Sequence, residues 1–404
     1  MSKPKIKVVI GANYGDEGKG LATDYFTQKA KGPVLNVLYN GGPQRGHTVE
    51  HKNGLRHIFH HFGSGFFNGA STYFDENFLV DPIKFNIEHC ELLDQARYFT
   101  DMTKTQALVR AKCYIHPNCR VITPWDAMAN QILQKGHNTC GCGIWQTIHR
   151  YNLMPDCKVF KGMCEMSDDQ LGNYLRTVAW YTLFYINSSQ KLELSDLQDT
   201  LIEPYKDLWF NEQLIQNFIY DLRQMEKRTI YCSFDKTAEH YDTIIFEGGQ
   251  GLAIGEQNGA SLCHVSTPSD TGSRIPVSLC KDISEDVEIC YITRTYVTRH
   301  GEGYLDRECT KEDLGLNEID ITNQSNKFQG DLRYGYFDWN PIYRRIDDDY
   351  GTTRQSVQFD IDKTLMITHY DPTDFIMDTD KLTRFDDCYV SSSRYSEEVE
   401  VWHS

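Results

Sequence analysis

The sequence predicts an α/β protein with a P-loop-like turn, a large, mainly parallel central sheet, flanking helices and a helical insertion. Short apolar runs rich in β-branched residues recur along the chain, each followed by a polar or glycine-bearing turn, a pattern typical of doubly wound sheets. The first run, residues 5–11, ends at a glycine and leads through a turn into a helical pattern that reaches Phe26. Between about 165 and 230 the short runs give way to long amphipathic segments, which indicates helices. We therefore expect one domain over residues 1–404, with a helical insertion at about 165–230.

The strand-like runs are distributed over most of the chain. They cover residues 5–11, 34–39, the surroundings of 58–62, 241–246, 287–293 and 363–369. The run at 34–39 ends in a second glycine-rich turn at 40–47. In the insertion, residues 167–170 (Ser-Asp-Asp-Gln) match a capping box that precedes apolar residues at helical spacing. Because open α/β sheets bind ligands at the carboxyl ends of their strands, the two glycine turns are the first candidates for a binding site.

The composition excludes several classes of protein. A formal net charge of −16 argues against general nucleic-acid binding, because phosphate backbones attract basic surfaces. No apolar run in the sequence approaches the roughly 20 residues of a membrane helix, and residues 1–7 do not have the composition of a signal peptide. We therefore expect a cytoplasmic protein without nucleic-acid or membrane partners.

The 13 cysteines are odd in number and scattered, without a Cys-x-x-Cys motif, which favours reduced thiols over a disulfide framework or a zinc site. Cys140 and Cys142 form a close pair, separated by a single glycine. In a cytoplasmic chain such a pair is more often incidental than a redox centre. The cysteines are accordingly expected to be packing residues.

Residues 15–20, Gly-Asp-Glu-Gly-Lys-Gly, form the first candidate phosphate loop. Its three glycines allow the backbone to approach phosphate oxygens, and Lys19 supplies a positive charge. The loop is not a Walker A motif, because Asn13 stands where that motif has a glycine and Gly20 replaces its Ser or Thr. Since that hydroxyl helps to hold Mg²⁺ in true P-loops, the metal needs another ligand, and Asp16 is the candidate.

The segment at residues 15–20 matches the signature of the adenylosuccinate synthetase family, and the chain resembles this family in other segments as well. Further similar segments follow in the order of the family: residues 41–48, 247–251 and 265–271, with weaker similarity at 298–303, 333–338 and 368–371. The resemblance extends over nearly the whole chain in colinear segments, between which the sequence is highly divergent.

The resemblance implies a reaction and its chemistry. The family joins L-aspartate to the 6-position of IMP with hydrolysis of GTP and with Mg²⁺, through a 6-phosphoryl intermediate. By this resemblance Asp16 removes the proton from the purine ring nitrogen beside the 6-carbonyl, and His47 stabilises charge on the 6-oxygen by donating a hydrogen bond. Mg²⁺ is expected on Asp16 and on the Gly46 carbonyl. The resemblance also favours a homodimer.

Motif positions assign two further groups of residues. Contacts to the nucleotide donor and its phosphates fall on Gly15, Glu17, Gly18, Lys19, Gly20, Thr48, Asp371, Ser392 and Ser393. Contacts to the acceptor nucleotide or to aspartate fall on Gln44, Thr139, Gln250, Ser266, Thr267, Arg299 and Arg333. Among these, Asp371 is expected to accept hydrogen bonds from guanine.

The chain departs from the family pattern at several loops. Residues 140–143, Cys-Gly-Cys-Gly, stand where the family has a Thr-Gly-Arg-Gly turn, and Gln44-Arg45 replaces Asn-Ala. The aspartate-binding loop is shortened and loses two arginines but keeps Arg333, which weakens the support for bidentate carboxylate recognition. Arg150 is the nearest counterpart of the arginine that the family lends across its dimer, but its spacing differs.

Two alternatives stay open on the sequence. A viral branch of the family adds aspartate to GMP or dGMP, and some members use an adenine donor, so a 2-aminoadenylosuccinate synthetase that uses ATP or GTP is the first alternative. A nucleotide-binding regulatory protein without ligase activity is the second, because the aspartate loop is eroded. Asp16 favours IMP, since part of the viral branch replaces this carboxylate to make room for a 2-amino group.

Overall fold

The structure, a computed structural model, describes residues 3–96, 111–133, 140–154, 156–190, 203–255, 269–316, 330–373, 375 and 378–402. Its strands are β1 (Lys5–Gly11), β2 (Val34–Leu38), β3 (His47–Glu50), β4 (Arg56–Phe59), β5 (Ser71–Phe74), β6 (Leu79–Val80), β7 (Cys113–Ile115), β8 (Arg120–Val121), β9 (Thr229–Tyr231), β10 (Thr243–Gly251), β11 (Val287–Arg294), β12 (Tyr296–His300), β13 (Glu308–Cys309), β14 (Leu332–Tyr336), β15 (Asp362–Thr368), β16 (Asp387–Ser391) and β17 (Glu400–Val401). Its α-helices are α1 (Lys19–Lys29), α2 (Pro82–Ala96), α3 (Pro124–Leu133), α4 (Ile144–Leu153), α5 (Phe160–Cys164), α6 (Asp168–Gln190), α7 (Lys206–Trp209), α8 (Glu212–Arg228), α9 (Phe234–Ala238), α10 (Arg274–Cys280), α11 (Trp339–Arg354) and α12 (Thr379–Leu382).

A ten-stranded sheet forms the centre of the described structure, in the order β17-β16-β15-β11-β1-β10-β2-β5-β7-β9. All neighbouring strands in it are parallel except β17, which runs antiparallel to β16 at one edge. Val8 of β1, Ile244 of β10 and Ile289 of β11 are fully buried, as expected of parallel strands covered on both faces by helices. The predicted fold class, a large and mainly parallel α/β sheet with flanking helices, is confirmed.

One apolar run contributes to a different sheet from the main one. The run around residues 58–62 supplies only β4, which pairs antiparallel with β3 in a hairpin. Gly54, at φ +87°, lies in the turn between the two strands, where a positive φ favours glycine. Because β3 begins at His47, this hairpin fixes the end of the second glycine turn.

The region predicted to be helical contains α6 and α8. The capping box predicted at its start is confirmed: Gln170 N–H donates to Ser167 Oγ at 3.3 Å, and Ser167 N–H donates to Gln170 Oε1 at 2.9 Å. Leu171 and Leu175 of α6 are fully buried in a cluster that also contains Trp125 of α3 and Phe218 of α8. None of the described helices has the length and hydropathy that a bilayer crossing requires.

The carboxyl ends of the central strands are level with one another. Gly11 of β1 is in register with Gly251 of β10, and Thr368 of β15 is in register with both Arg294 of β11 and Ser391 of β16. The loops that leave these strands therefore lie along one edge of the sheet, as the general rule for ligand sites in open α/β sheets requires.

Candidate active site

The turn after β1 has a backbone that favours glycine at most of its positions. Gly15 and Gly18 have φ of +118° and +101°, and Asp16 between them has φ +59°. Asp and Asn are the non-glycine residues that adopt this left-handed conformation most readily. A side chain on Gly20 would clash with the Thr48 carbonyl, 2.8 Å from the position of its Cβ, so glycine there allows α1 to begin directly against β3.

The carboxylate of Glu17 is folded into this turn. Its Oε1 accepts hydrogen bonds from the N–H of Asn13 at 2.8 Å and of Gly15 at 3.1 Å, and its Oε2 lies 3.1 Å from the Lys19 ammonium. Glu17 and Lys19 are both buried, and a buried ammonium needs a counter-ion. Glu17 was expected to contact the donor nucleotide or its phosphates, yet here it occupies the N–H groups and the lysine that a phosphate would use.

Arg345 of α11 braces the turn, a role that the sequence did not suggest. Its guanidinium donates to the Ala12 carbonyl at 2.9 Å and to Asn13 Oδ1 at 2.5 Å, and it pairs with Asp306 at 2.9 Å. The Thr368 hydroxyl, at the end of β15, donates to the Glu17 carbonyl at 2.8 Å. Asn13, the residue that breaks the Walker A pattern, thus connects the turn to Arg345.

Asp16 points away from these bracing contacts. Its side chain is 23% exposed, and its Oδ2 lies 3.6 Å from Nε2 of His300, at the end of β12. Within the described part of the chain the carboxylate makes no hydrogen bond, unlike that of Glu17. A carboxylate in this setting is available to a substrate proton or to a cation.

His47 lies next to the turn and contacts a buried carboxylate. Its Nδ1 is 2.5 Å from Oε1 of Glu247, a fully buried residue of β10. Glu247 also accepts hydrogen bonds from the N–H of Ser64 at 3.0 Å and from its hydroxyl, and it pairs with Arg45 Nη2 at 2.9 Å. Glu247 belongs to the family-like segment at 247–251, but no role could be assigned to it from the sequence. A glutamate inside an apolar strand is nevertheless a signal of a buried polar network.

The protonation state of His47 follows from this network. Burial and the Arg45 guanidinium lower the pKa of His47 to about 3. Burial alone would raise the pKa of Glu247, but Arg45 and the hydrogen bond from His47 hold it well below its ordinary value. The ring is therefore neutral, with Nδ1–H donating to an ionised Glu247. Its Nε2 carries a lone pair and makes no hydrogen bond among the described residues.

Acidification is expected to destabilise the protein through His47. The pKa of His47 in the folded state is below the ordinary 6.5, so as the pH falls His47 is protonated in the unfolded chain before it is protonated in the folded protein. The stabilisation that is present above pH 6.5 is therefore lost as the pH falls below that value. Between pH 7 and pH 5 the contribution of His47 to the free energy of unfolding should fall by about 2 kcal/mol. Urea denaturation at both pH values measures it.

The matched variant for this measurement is His47→Gln. A glutamine amide can donate to Glu247 but does not titrate, so the difference between the two pH values should be about 2 kcal/mol smaller than in the wild type. Equal losses of stability in the two proteins would show that His47 is already protonated at neutral pH or is exposed.

The second glycine turn contains buried polar atoms that make no hydrogen bond within the described structure. They are both amide atoms of Gln44 and the Nε and Nη1 atoms of Arg45, and the hydroxyl of Thr48, just after the turn on β3, is likewise unpaired. Such atoms are rare in native proteins and call for a ligand or water. Gly46, predicted to bind metal through its carbonyl, is exposed. Gln250, at the end of β10, lies along the same sheet edge, whereas Thr139, Ser266 and Thr267 lie outside the described residues.

Arg299 and Arg333 are directly opposite each other on β12 and β14. Arg333 pairs with Glu308 and donates to the carbonyls of Gly301 and Gly303 at 3.0 and 2.9 Å. Arg299 donates to the Tyr304 carbonyl at 2.9 Å. The structure therefore brings the two arginines together around residues 301–304.

The residues expected to bind the donor base lie at the ends of β15 and β16. Asp371 is exposed, and its Oδ1 accepts hydrogen bonds from both the N–H and the hydroxyl of Thr373, at 2.8 and 2.7 Å. Its Oδ2 accepts none among the described residues. Ser392 is exposed, and the Ser393 hydroxyl accepts from the Tyr395 N–H at 3.0 Å. The two strand ends are level, so Asp371 and the serines share one part of the sheet edge.

Sequence comparison relates the chain to the adenylosuccinate synthetases. A family model described as adenylosuccinate synthetase matches residues 8–346. The adenylosuccinate synthetase of Psychrobacter arcticus is 25% identical over 350 residues, which are 84% of this chain and 73% of that protein. The enzyme of Porphyromonas gingivalis is 35% identical over 146 residues, which are 35% of this chain and 32% of that protein.

Two solved structures have the same fold at 14% identity. The succinoaminodeoxyadenylate synthetase of cyanophage S-2L, bound to dGMP and to dATP as energy donor, has a TM-score of 0.64 and aligns with 100% of this chain and 97% of its own. The fully ligated adenylosuccinate synthetase of Plasmodium falciparum has a TM-score of 0.62, with 99% and 87% aligned. Because the family model matches most of the sequence, the chain belongs to the adenylosuccinate synthetase family, whose members are ligases that form a carbon–nitrogen bond.

Proposed function

We propose that this ligase joins L-aspartate to the 6-position of IMP and uses GTP as the phosphate donor. The observation that carries the proposal is the Asp16 carboxylate, which lies in the phosphate turn, is partly exposed and is not used by the protein's own hydrogen bonds. A partly exposed carboxylate at the level of the phosphate loop is what removal of a purine ring proton requires.

The reaction then proceeds in two displacements. Asp16 takes the proton from the ring nitrogen beside the 6-carbonyl, and the 6-oxygen attacks the γ-phosphorus, which releases the nucleoside diphosphate. The aspartate amine next attacks carbon 6, and the 6-phosphoryl group leaves as inorganic phosphate. Asp16 is the catalytic base of the first displacement, and the phosphate turn positions the donor.

His47 supports this chemistry through its Nε2 atom. Nε2 is an acceptor, because Nδ1 carries the ring proton and faces Glu247. Donation to the 6-oxygen or to the transferred phosphoryl group therefore needs a second proton on the ring. Bound phosphates favour that proton, because nearby negative charge raises the pKa of an imidazole.

Asp16 and Gly46 are the residues that would hold a magnesium ion. Asp16 offers a hard carboxylate oxygen, and Gly46 is an exposed glycine of the second turn. Oxygen ligands of this type suit Mg²⁺, which keeps several waters and binds substrate phosphates. When bound, the metal would offset the charge of the phosphates.

For phosphate to bind in the turn, Glu17 must release Lys19 and the two N–H groups that it occupies. The exchange replaces one anion by another, so the turn itself needs no refolding. Glu17 then becomes free to face the nucleotide, in agreement with its expected place among the nucleotide contacts.

Acceptance of dGMP or GMP, with ATP or GTP as donor, is the alternative. It is favoured by the cyanophage structure, whose ligands are dGMP and dATP, and by the altered second turn, where Gln44 and Arg45 stand. IMP is preferred because Asp16 is present, as in family members that act on it.

A matrix of substrates tests the proposal and separates its alternatives. Purified protein is incubated with aspartate, Mg²⁺, either IMP or dGMP, and either GTP or ATP, and released phosphate and the aspartyl-purine product are measured. We expect turnover with IMP and GTP that stops when any one substrate is omitted. Turnover with dGMP alone would move the assignment to the 2-aminoadenylosuccinate reaction. Nucleotide binding without product in all four combinations would instead support a regulatory protein.

Asp371→Asn is expected to raise the KM for GTP by about 10- to 100-fold and to leave the KM for IMP unchanged. The Oδ2 atom of Asp371 is the one open to the guanine N–H groups, since Oδ1 is used by Thr373. Asn keeps an acceptor but loses the charge. Initial rates at varied GTP measure the change, with Thr373→Ala as the variant that removes only the turn contact. An unchanged KM for GTP would remove Asp371 from the donor site.

We further propose that the protein is a homodimer. Large apolar side chains are 42–60% exposed on neighbouring helices: Trp145 and Leu153 of α4, Trp180 and Phe184 of α6, and Phe210 beside α7. The ring centroids of Trp180 and Phe210 lie 4.6 Å apart with the ring planes tilted by 39°, so at least these two exposed side chains are in contact. Exposed apolar patches of this kind mark contact surfaces.

This dimer would not use Arg150 across its interface. Arg150 is buried, pairs with both oxygens of Asp126 at 2.9 and 2.8 Å, and donates to the Val121 carbonyl at 2.6 Å. Sedimentation velocity should give a dimer for the wild type and a monomer for the Trp180→Glu/Phe184→Glu protein, with Tyr220→Glu on α8 as an exposed control. A wild-type monomer at assay concentrations would contradict the proposal.

A further inference from the structure

The Cys140-Gly-Cys142 pair is not simply buried in apolar surroundings. The Lys84 ammonium, on the first turn of α2, donates to Cys142 Sγ at 3.0 Å. Cys142 Sγ also lies 3.7 Å from the Cys140 carbonyl. A thiol in contact with an ammonium group favours its ionised, nucleophilic form. Cys142 packs with Leu79 and Ile144 in a small apolar cluster, as expected of a packing residue, and it contacts Lys84 in addition.

The turn that carries Cys142 is built to hold it in place. Gly141 and Gly143, on either side of Cys142, have φ of +70° and +82°. Gln131 donates to the Gly141 carbonyl at 3.1 Å, and the Gly143 N–H donates to Asn130 at 3.2 Å. Both contacts come from residues at the end of α3. The backbone on either side of Cys142 is therefore held by hydrogen bonds where the thiol contacts Lys84.

The side chains of Cys140 and Cys142 are in contact, because a hydrogen bond between them contributes to the pKa shifts of both thiols. Consecutive Cα atoms are about 3.8 Å apart, and a turn centred on a glycine folds two such steps into the roughly 4.4–6.8 Å that a disulfide spans. Cys140 is half-buried and Cys142 is 9% exposed, so Cys140 is the more exposed of the two thiols.

We propose that Cys142 is a nucleophilic thiolate held by Lys84 and that it forms a reversible disulfide with Cys140. The oxidant is a small-molecule disulfide. The Cys142 thiolate attacks one of its sulfurs and releases the other as a thiolate, which leaves a mixed disulfide on Cys142. The Cys140 thiol then loses its proton, attacks the Cys142 sulfur and expels the second small thiolate. Two protein thiols are oxidised and one small disulfide is reduced to two thiols.

The electrostatic surroundings separate the roles of the two cysteines. The hydrogen bond with Cys140 and the Lys84 ammonium lower the pKa of Cys142 to about 6, against the opposing effects of burial and of Asp81. The contact with Cys142 and burial raise the pKa of Cys140. Cys142 is therefore the attacking thiol, and Cys140 is the thiol that resolves the mixed disulfide.

The first test follows alkylation of individual cysteines in the intact chain by peptide mass spectrometry. Iodoacetamide should modify Cys142 with an apparent pKa of about 6, below the roughly 8.5 of a free cysteine, and the exposed Cys90 is followed in the same digests as a reference. Lys84→Met should raise the apparent pKa of Cys142 by at least one unit, and Lys84→Arg should preserve it. A Cys142 profile that coincides with that of Cys90 and does not respond to Lys84→Met would overturn the proposal.

The second test follows the disulfide and does not depend on ligase activity. Oxidised glutathione should convert wild-type protein to a form in which the Cys140–Cys142 peptide has lost two hydrogens, and dithiothreitol should reverse it. Cys140→Ser should stop at the glutathione adduct on Cys142, and Cys90→Ser should behave as wild type. If wild type and Cys140→Ser accumulate the same adduct, or if neither reacts while far-ultraviolet circular dichroism shows both folded, Cys140 does not resolve Cys142 and the proposal fails.

Discussion

Replacement of Asp16 by asparagine is expected to lower kcat by about 10³-fold, within the roughly 10²- to 10⁴-fold contribution of a general base. The loss should fall on kcat rather than on the binding of GTP, because the lysine and the N–H groups of the phosphate turn are unchanged. Asparagine also weakens a metal site, since it replaces a carboxylate by a neutral amide oxygen. Phosphate release at saturating IMP, GTP and aspartate measures the effect.

Asparagine is the right substitution because it preserves the backbone. Asp16 has φ +59°, a conformation that asparagine adopts as readily as aspartate but that strains alanine. The carboxylate makes no hydrogen bond within the described structure and is 23% exposed, so the free energy of unfolding should stay within about 0.5 kcal/mol of the wild type. Asp360→Asn, which removes a 96% exposed carboxylate, controls for loss of charge. Turnover of Asp16→Asn at the wild-type rate would show that another group takes the proton.

The fold was predictable because its signals are local. Apolar runs followed by polar or glycine-bearing turns marked the central strands, and the spacing of Ser167 and Gln170 marked the start of α6. The hairpin strand β4 was harder to assign to its sheet, because an apolar run of a few residues does not reveal which strands it pairs with. Antiparallel pairing with β3 depends on the short turn between them.

Only those residues of the candidate site that belong to a recognisable motif could be predicted from the sequence. Residues 15–20 indicated the phosphate turn, but not that Glu17 folds back onto Lys19, because that contact depends on the burial of both side chains. Arg345 reaches Asn13 across 332 positions of sequence, and Lys84 reaches Cys142 across 58. Contacts at such separations are set by how the strands and helices assemble, which single-residue patterns do not encode.

The second large effect is expected at Glu247, where Glu247→Gln should lower the free energy of unfolding by about 3–5 kcal/mol. The glutamine can still accept hydrogen bonds from His47 and Ser64, so the principal loss is the charge that compensates Arg45. The side chains of both Arg45 and Glu247 are completely buried. Without the carboxylate, the folded state keeps a buried guanidinium charge that has no partner anion among the described residues. Urea denaturation at pH 7.5, where Glu247 is ionised in the wild type, measures this loss.

A double-mutant cycle separates this charge effect from simple damage to the core. Arg45→Met alone leaves the Glu247 carboxylate with His47 and Ser64 and should also destabilise the protein. In the double variant no unpaired charge remains, so its stability should exceed that of Glu247→Gln, with a coupling energy of at least about 2 kcal/mol. Additive losses would mean that the two side chains act independently and that Arg45 has another counter-ion. A strong coupling would instead explain how a chain with Arg45 in place of the family's alanine holds His47 neutral: the arginine requires an ionised Glu247, and that carboxylate fixes the proton of His47 on Nδ1.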